Sequence, residues 1–534
     1  MAEWTIGAVL NAIAEAVPDR LMTVCGERRS TFAESSQRTR RVANYLAGSG
    51  FGAHRERDEL QNWECGQDRV ALLMHNDLYP DMVIGCLKAR TVPVNVNYNY
   101  APREVAELFD YLRPSVVIYH RSFGPKFAEV LPPASARLLI EIDDGGDATP
   151  LPGAVRLEDA LAQGDTDEPI TPSPDDVMMV CTGGTTGRPK GVMWRQCDTY
   201  VISMNGADHQ SVEEIHDKVR HGGQPWFAVS PLMHAAGMWT AFAGLLSGLP
   251  VVLYDQTRFD PRAVLETAQR EKVGLMTMVG DAYAGPLVEE LRRGSYDLAS
   301  LFAIGTGGAA TNPKHQRALL DLLPHITLIN GYGSSETGNV GFGRSQRGEQ
   351  KDTFELREGA LVLAPDYRRF LAPGDTEVGF VARGGRIPLG YFDDAEATRK
   401  TFPVVDGKRV VISGDRGSLA PDGTLVLFGR DSLVVNTGGE KVFVEEVEEV
   451  LRAHPGVADA LVVGRPSERW GEEVVALVAL HDDTEADALH AHCTSQLARF
   501  KAPKDFIVVE QVRRLGNGKP DYRWAKSTVQ KVNA

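Results

Sequence analysis

Short apolar runs that end in glycine constrain this chain more than any other feature. Arg69–Met74, Val116–Tyr119, Val177–Cys181, Val251–Tyr254, Leu301–Ile304 and Ile326–Ile329 have strand length and are rich in Val, Ile and Leu. Near-continuous apolar runs suit strands buried on both faces, and longer helix-period segments separate them here. Three runs lead at once into glycine: Cys181 into Gly183, Ile304 into Gly305 and Ile329 into Gly331. The expectation is an α/β fold with ligand groups gathered at strand ends.

With 534 residues, the chain has room for more than one folding unit. The pattern changes near Gly429. Beyond it come a helix around Val444–Leu451, strands around Ala460–Val463 and Val474–Ala479, a helix around Ala486–Phe500 and a strand at Phe506–Val509. Residues 1–429 therefore read as a large, multi-layered N-terminal domain with β-sheets flanked by helices. Residues 433–534 read as a small, mobile α+β C-terminal domain. The polar segment Gly429-Arg430-Asp431-Ser432 is the linker candidate, with residues 430–432 as hinge. Asp143–Pro152 reads as a surface loop, and no tandem repeat or low-complexity segment occurs.

Lys and Arg number 57 against 72 Asp and Glu, a formal charge of −15. That balance argues against nucleic-acid binding, which needs a basic footprint. The six cysteines show no CxxC spacing, so reduced thiols in a cytoplasmic protein fit better than a disulfide framework. Ile6, Leu10, Ile13 and Val17 recur at helical spacing, which makes the start an amphipathic helix and not a signal peptide. No apolar stretch is long enough to span a bilayer. Peripheral membrane contact and homo-oligomers stay open.

The chemistry starts at Thr182-Gly183-Gly184-Thr185-Thr186-Gly187-Arg188-Pro189-Lys190-Gly191. Four glycines let the backbone approach a ligand, and the N–H groups, hydroxyls and one ammonium can surround phosphate oxygens. It is not a Walker A loop, because Gly191 follows Lys190 where a Ser or Thr would hold the metal. A surface hairpin with turn-favouring residues is the plainer alternative.

This loop resembles the signature of the adenylate-forming enzymes, the superfamily of acyl-CoA synthetases, luciferases and peptide-synthetase adenylation domains. Further motifs follow in the family's order. Pro231-Leu232-Met233-His234-Ala235-Ala236-Gly237 is similar to the segment lining the acyl pocket. Gly305-Thr306-Gly307-Gly308-Ala309-Ala310 is similar to the turn along the adenine. In Asn330-Gly331-Tyr332-Gly333-Ser334-Ser335-Glu336-Thr337 the resemblance implies that Tyr332 packs on adenine, Ser335 bonds the α-phosphate or carboxylate, and Glu336 ligates Mg²⁺. It further implies that Asp415 in Ser413–Gly417 grips the ribose, with Arg430 reaching ribose or phosphates. Gly438 and Gly439 would border the CoA channel, Lys441 would meet CoA phosphate, and Lys519 in Leu515–Lys519 would bridge carboxylate and α-phosphate during adenylation. Glu445, Glu446, Glu448 and Glu449 read as a solvated helix face.

The implied function is an ATP-, Mg²⁺- and CoA-dependent acyl-CoA synthetase. Thr186, Lys190, Glu336 and Lys519 would be catalytic. No Asp stands in Pro231–Gly237 to hold an amino group, and Met238, Trp239, Phe242, Met276, Met278 and Tyr283 are nearby in sequence order, so an apolar acid is expected. His234, Gly308, Met238, Trp239, Met278 and Tyr283 are the acyl-pocket candidates. Thr182-Gly183-Gly184 with Met193-Trp194-Arg195, and Val279-Gly280-Asp281-Ala282, resemble more narrowly the actinobacterial fatty-acid and steroid side-chain CoA ligases. Two departures stand out: Ser432 where the family has Asp or Lys as pivot, and an extra polar stretch, Arg55–Gln67. A fatty acyl-AMP ligase serving a carrier protein and a non-catalytic binding homologue remain as alternatives. The first lacks its expected insertion here, and intact Lys190, Glu336, Asp415 and Lys519 speak against the second.

Overall fold

The apolar runs become strands of two large sheets. The structure is a computed structural model describing residues 3–165, 170–183, 189–309, 311–349, 351–430, 433–437, 440–467, 471–481, 484–497, 499–515 and 518–532. One sheet of eight strands runs in the order Gly390–Tyr391, Pro189–Arg195, Val177–Gly183, Val92–Asn95, Arg69–Leu73, Val116–His120, Leu138–Ile142, Val155–Arg156. Its inner strands are covered on both faces. Val70, Leu72, Val116 and Ile118 enter one core, and the alternate residues Ala71, Leu73, Val117 and Tyr119 enter another. That two-sided burial explains why the runs carry no polar alternation.

The second sheet has 14 strands among the described residues. Leu21–Cys25, Val251–Leu253, Trp226–Ala228, Leu275–Met278, Ala303–Thr306 and Thr327–Ser334 lie side by side and parallel. The chain then folds back antiparallel through Gly338–Ser345. The expected strand Leu301–Ile304 is displaced to Ala303–Thr306, because Gly305 continues the pairing instead of ending it. Thr327–Ser334 likewise runs through its glycines, and only Ser335, Glu336 and Thr337 form the reversal. At Gly333 a Cβ would collide with the carbonyl oxygen of Gly338. The N-terminal helix Ile6–Ala16 forms as expected, capped by Thr5, whose Oγ1 accepts from Ala8 N at 3.1 Å.

A third sheet draws on Val434–Thr437, Glu440–Phe443, Val457–Ser467, Gly471–Leu480 and Asp505–Val508. Helix Val444–Ala453 packs on it with Val444, Val447, Glu448 and Leu451 inward. This corrects the expected solvated glutamate face. Glu448 is 1% exposed; it accepts from Val462 N at 2.8 Å and from Tyr522 Oη at 3.1 Å. Burial raises its carboxyl to about 7 against the pull of Arg452. The helical stripe, and not residue polarity, decides which way it points. Glu446 pairs with Lys501 at 2.7 Å. Asp431 and Ser432 lie outside the described residues. Among the described residues no helix is long and apolar enough to cross a membrane.

Replacing Gly333 with Ala is expected to lower stability by about 2 kcal/mol, read as a shift of the urea midpoint. An unchanged midpoint would mean that this hairpin turn tolerates a Cβ.

Candidate active site

Thr182 and Gly183 close one strand of a hairpin, and Pro189 and Lys190 open the other, with Thr182 opposite Lys190. The turn between them, holding Gly184, Thr185, Thr186 and Gly187, lies outside the described residues. Its base is tied on two sides. Asn95 accepts from Cys181 N at 2.8 Å and donates to Cys181 O at 2.9 Å and Met233 O at 2.8 Å. The Tyr111 hydroxyl accepts from Gly191 N at 3.2 Å and donates to Phe392 O at 2.6 Å.

The strand Gly390–Tyr391 pairs with Pro189–Arg195 and so brings Tyr391 beside Lys190. The Lys190 ammonium lies 4.8 Å from the Tyr391 ring centroid and 3.8 Å from Asp394 Oδ2. Tyr391 Oη donates to Glu336 Oε1 at 3.0 Å, and Ser335 Oγ donates to Glu336 Oε2 at 2.9 Å. Trp194 Nε1 holds the same turn through Ser335 O at 2.8 Å. Each Glu336 oxygen thus receives a bond, which orients the carboxylate. Burial, followed by the Glu336 charge, raises the Tyr391 phenol, so it stays a donor at neutral pH.

Three residues before Ser335, on the same hairpin, Tyr332 Oη donates to Asp415 Oδ2 at 2.7 Å. Asp415 follows Gly414, whose φ of +81° suits glycine, and stands opposite Arg430 in the strand pair. Asn330 is in register with Thr306, and a Cβ on Gly307 would meet Gly331 O at 3.3 Å. Gly308 turns back at φ +79°, with its Cβ position 3.7 Å from both Ala236 Cβ and Val279 Cγ1. Ala309 follows it, and Ala310 is outside the described residues.

His234 is the N-cap residue of helix Ala235–Leu245. Burial first, and the Lys519 ammonium second, push its imidazole from 6.5 down to about 4. Lys519 itself is exposed, on a turn where Gly518 takes φ +78° and Leu515 N donates to Lys519 O at 2.8 Å. The Gly518 Cβ position lies 3.4 Å from Ala282 Cβ. Two residues far apart in sequence therefore meet. Met238 and Trp239 are buried in one core cluster, while Met278 and Tyr283 belong to another.

Lys441 lies opposite Asn436 in a strand pair, and Gly438 and Gly439 fall outside the described residues. Sequence reasoning missed Tyr391, Asp394, Tyr111 and Asn95. The only available signal was the glycine-led Gly390-Tyr391-Phe392-Asp393-Asp394, which has no motif spacing of its own.

The profile of the AMP-binding enzyme family matches residues 10–355, and that of the AMP-binding enzyme C-terminal domain matches residues 446–519. A medium-chain acyl-CoA ligase, Mig, of Mycobacterium avium is 41% identical over 99% of this chain and 98% of its own. A 3-oxocholest-4-en-26-oate–CoA ligase of Rhodococcus rhodochrous is 35% identical over 96% of this chain and 93% of its own. ATP-bound MatB of Rhodopseudomonas palustris shares the fold with a TM-score of 0.79, at 21% identity, over 98% of this chain and 100% of its own.

The depressed His234 value has a consequence for stability. The unfolded chain takes up this proton near pH 6.5 and the folded chain only near 4, so stability is lost as pH falls through that window. His234→Gln is expected to lose less stability than the parent between these pH values in urea titrations. Parallel losses would contradict a buried neutral imidazole.

Proposed function

The chain belongs to the AMP-binding enzyme family, and on that premise we propose that it is an ATP-dependent acyl-CoA synthetase for apolar carboxylic acids. The observation that carries the reading is the linked group Lys190, Tyr391, Glu336 and Ser335, and the Lys519 charge is felt at His234. A fixed carboxylate, hydroxyls and two ammonium groups suit a polyphosphate that must lose pyrophosphate.

In the first step a carboxylate oxygen of the acid attacks the α-phosphorus, and the bond to pyrophosphate breaks. Lys190, Thr182, Thr185, Thr186 and the glycines around them hold phosphate oxygens. Lys519 spans the carboxylate and the α-phosphate, where negative charge builds. Tyr332 and the Gly307–Ala310 turn face the adenine, and Asp415 and Arg430 hold the ribose. Glu336 is a hard oxygen donor that fits Mg²⁺, which would neutralise phosphate charge when bound. In the second step the small domain, residues 433–534, turns about residues 430–432. Lys519 withdraws, Gly438-Gly439 move in and Lys441 meets CoA phosphate. The CoA sulfur then attacks the acyl carbonyl and AMP leaves.

His234, Gly308 and Tyr283 wall the acyl pocket in this reading. The names of the two relatives above, a medium-chain and a steroid-acid ligase, support an apolar acid. Six unpaired cysteines support a cytoplasmic location.

The test is incubation with ATP, Mg²⁺, CoA and graded straight-chain and steroid acids. Equal amounts of AMP, pyrophosphate and acyl-CoA are expected from at least one acid. No pyrophosphate release would overturn the activation step, and release without thioester would overturn the CoA step. Lys519→Ala is expected to slow acyl-adenylate formation by about 100-fold or more and to leave thioester formation from supplied acyl-adenylate nearly intact. Equal loss in both steps would contradict the role of Lys519.

A further inference from the structure

Five strands of the eight-stranded sheet run parallel in the order Val92–Asn95, Arg69–Leu73, Val116–His120, Leu138–Ile142, Val155–Arg156. Chain order reverses at Arg69–Leu73, because the next strand in sequence lies on one side of it and the following one on the other. In open α/β sheets such a reversal opens a crevice at the carboxyl ends of the two flanking strands, and ligands bind there. Here those ends lead to His75 and His120. Neither residue belongs to the phosphate site.

Rings cluster at these strand ends. The His75 ring centroid is 5.4 Å from His120, 4.4 Å from Phe123 and 5.1 Å from Tyr98. The His75 backbone N–H donates to His120 Nδ1 at 2.8 Å. That bond uses the Nδ1 lone pair, so the neutral ring carries its proton on Nε2. Burial, with His75 second, pushes the imidazole down to about 3, and the ring stays neutral. His120 is 1% exposed, and its Nε2 has no partner among the described residues. A buried donor without an acceptor is costly and rare in a native structure.

Two links join the crevice to the acyl segment. Asn76, next to His75, accepts from Leu232 N at 2.8 Å, two residues before His234. Asn76 also donates through Nδ2 to Tyr254 O at 2.9 Å, and Tyr254 shares a core cluster with the pocket candidate Tyr283.

We propose that this crevice is a distal polar subsite of the acyl pocket. It takes the end of an apolar acid that bears a carbonyl or hydroxyl oxygen, and His120 Nε2–H donates to that oxygen. The inference rests on the reading of the chain as an enzyme that activates apolar acids. A neutral donor suits a neutral oxygen, and the nearby Arg28 is already paired with Asp77 at 3.0 Å, so a second carboxylate has less to meet. An acid without the oxygen leaves the donor unpaired, and sites of this kind discriminate strongly against such analogues.

The experiment uses the full-length enzyme and acids paired by shape. Straight-chain acids of graded length are compared with the same acids carrying a ketone next to the terminal methyl, and a fused-ring acid is compared with its ring ketone. Pyrophosphate release is the readout. For at least one pair the oxo acid is expected to show a kcat/KM about 10-fold or more above its plain partner. His120→Phe is expected to abolish that preference and to change the plain-acid rate little. No preference in the wild type, or a preference that survives His120→Phe, overturns the subsite. No release from any acid would instead sink the activation reading. If His120→Phe does not fold, the histidine-¹⁵N-labelled wild type decides. The oxo acid, and not its plain partner, is expected to move the resonance of one imidazole N–H, and no such shift overturns the proposal.

Discussion

The hydrogen bond from Tyr391 to Glu336 is the contact on which the rest of the site depends. Tyr391 is on the edge strand of the eight-stranded sheet, and Glu336 is on a hairpin turn of the 14-stranded sheet. The bond therefore crosses the seam between the sheets. Lys190 rests over the same ring, so the ammonium at the base of the glycine-rich loop and the carboxylate of the hairpin take their positions from one phenol. Trp194 to Ser335, Asn95 to Met233 and Asn76 to Leu232 cross the same seam. Ends of two separately built sheets can be set to hydrogen-bond precision only if such bonds hold them together.

The turn that carries Lys519 lies against helix Gly280–Arg293, where the Gly518 Cβ position is 3.4 Å from Ala282 Cβ. The Lys519 charge contributes to lowering the His234 imidazole, and the proposed first step asks for an ammonium where negative charge develops. An exposed turn held by its own backbone bonds carries that lysine.

Much of this was legible in the sequence. Burial on both faces leaves a continuous apolar run, so Arg69–Leu73 and Val116–His120 were found within a residue. The motifs around Lys190, Glu336 and Asp415 stood out because glycine-rich segments keep their residues contiguous. Boundaries failed where glycine was read as a stop, as at Gly305 and Gly331, although a strand between two neighbours tolerates it. Tyr391, Tyr111 and Asn95 were not legible, because each acts through one or two contacts with residues far off in the chain. Glu448 was misread because a run of glutamates hides which one faces the sheet. The histidines at the strand reversal carry no local signal, and only the strand order shows why their place matters.

A double-mutant cycle on ATP–pyrophosphate exchange, with Tyr391→Phe and Glu336→Gln, tests the seam bond most directly. If Tyr391 acts by holding the Glu336 carboxylate, Tyr391→Phe alone slows exchange by about 10-fold, and adding it to Glu336→Gln costs little more. Losses that multiply, each substitution costing the same with or without the other, would contradict that coupling.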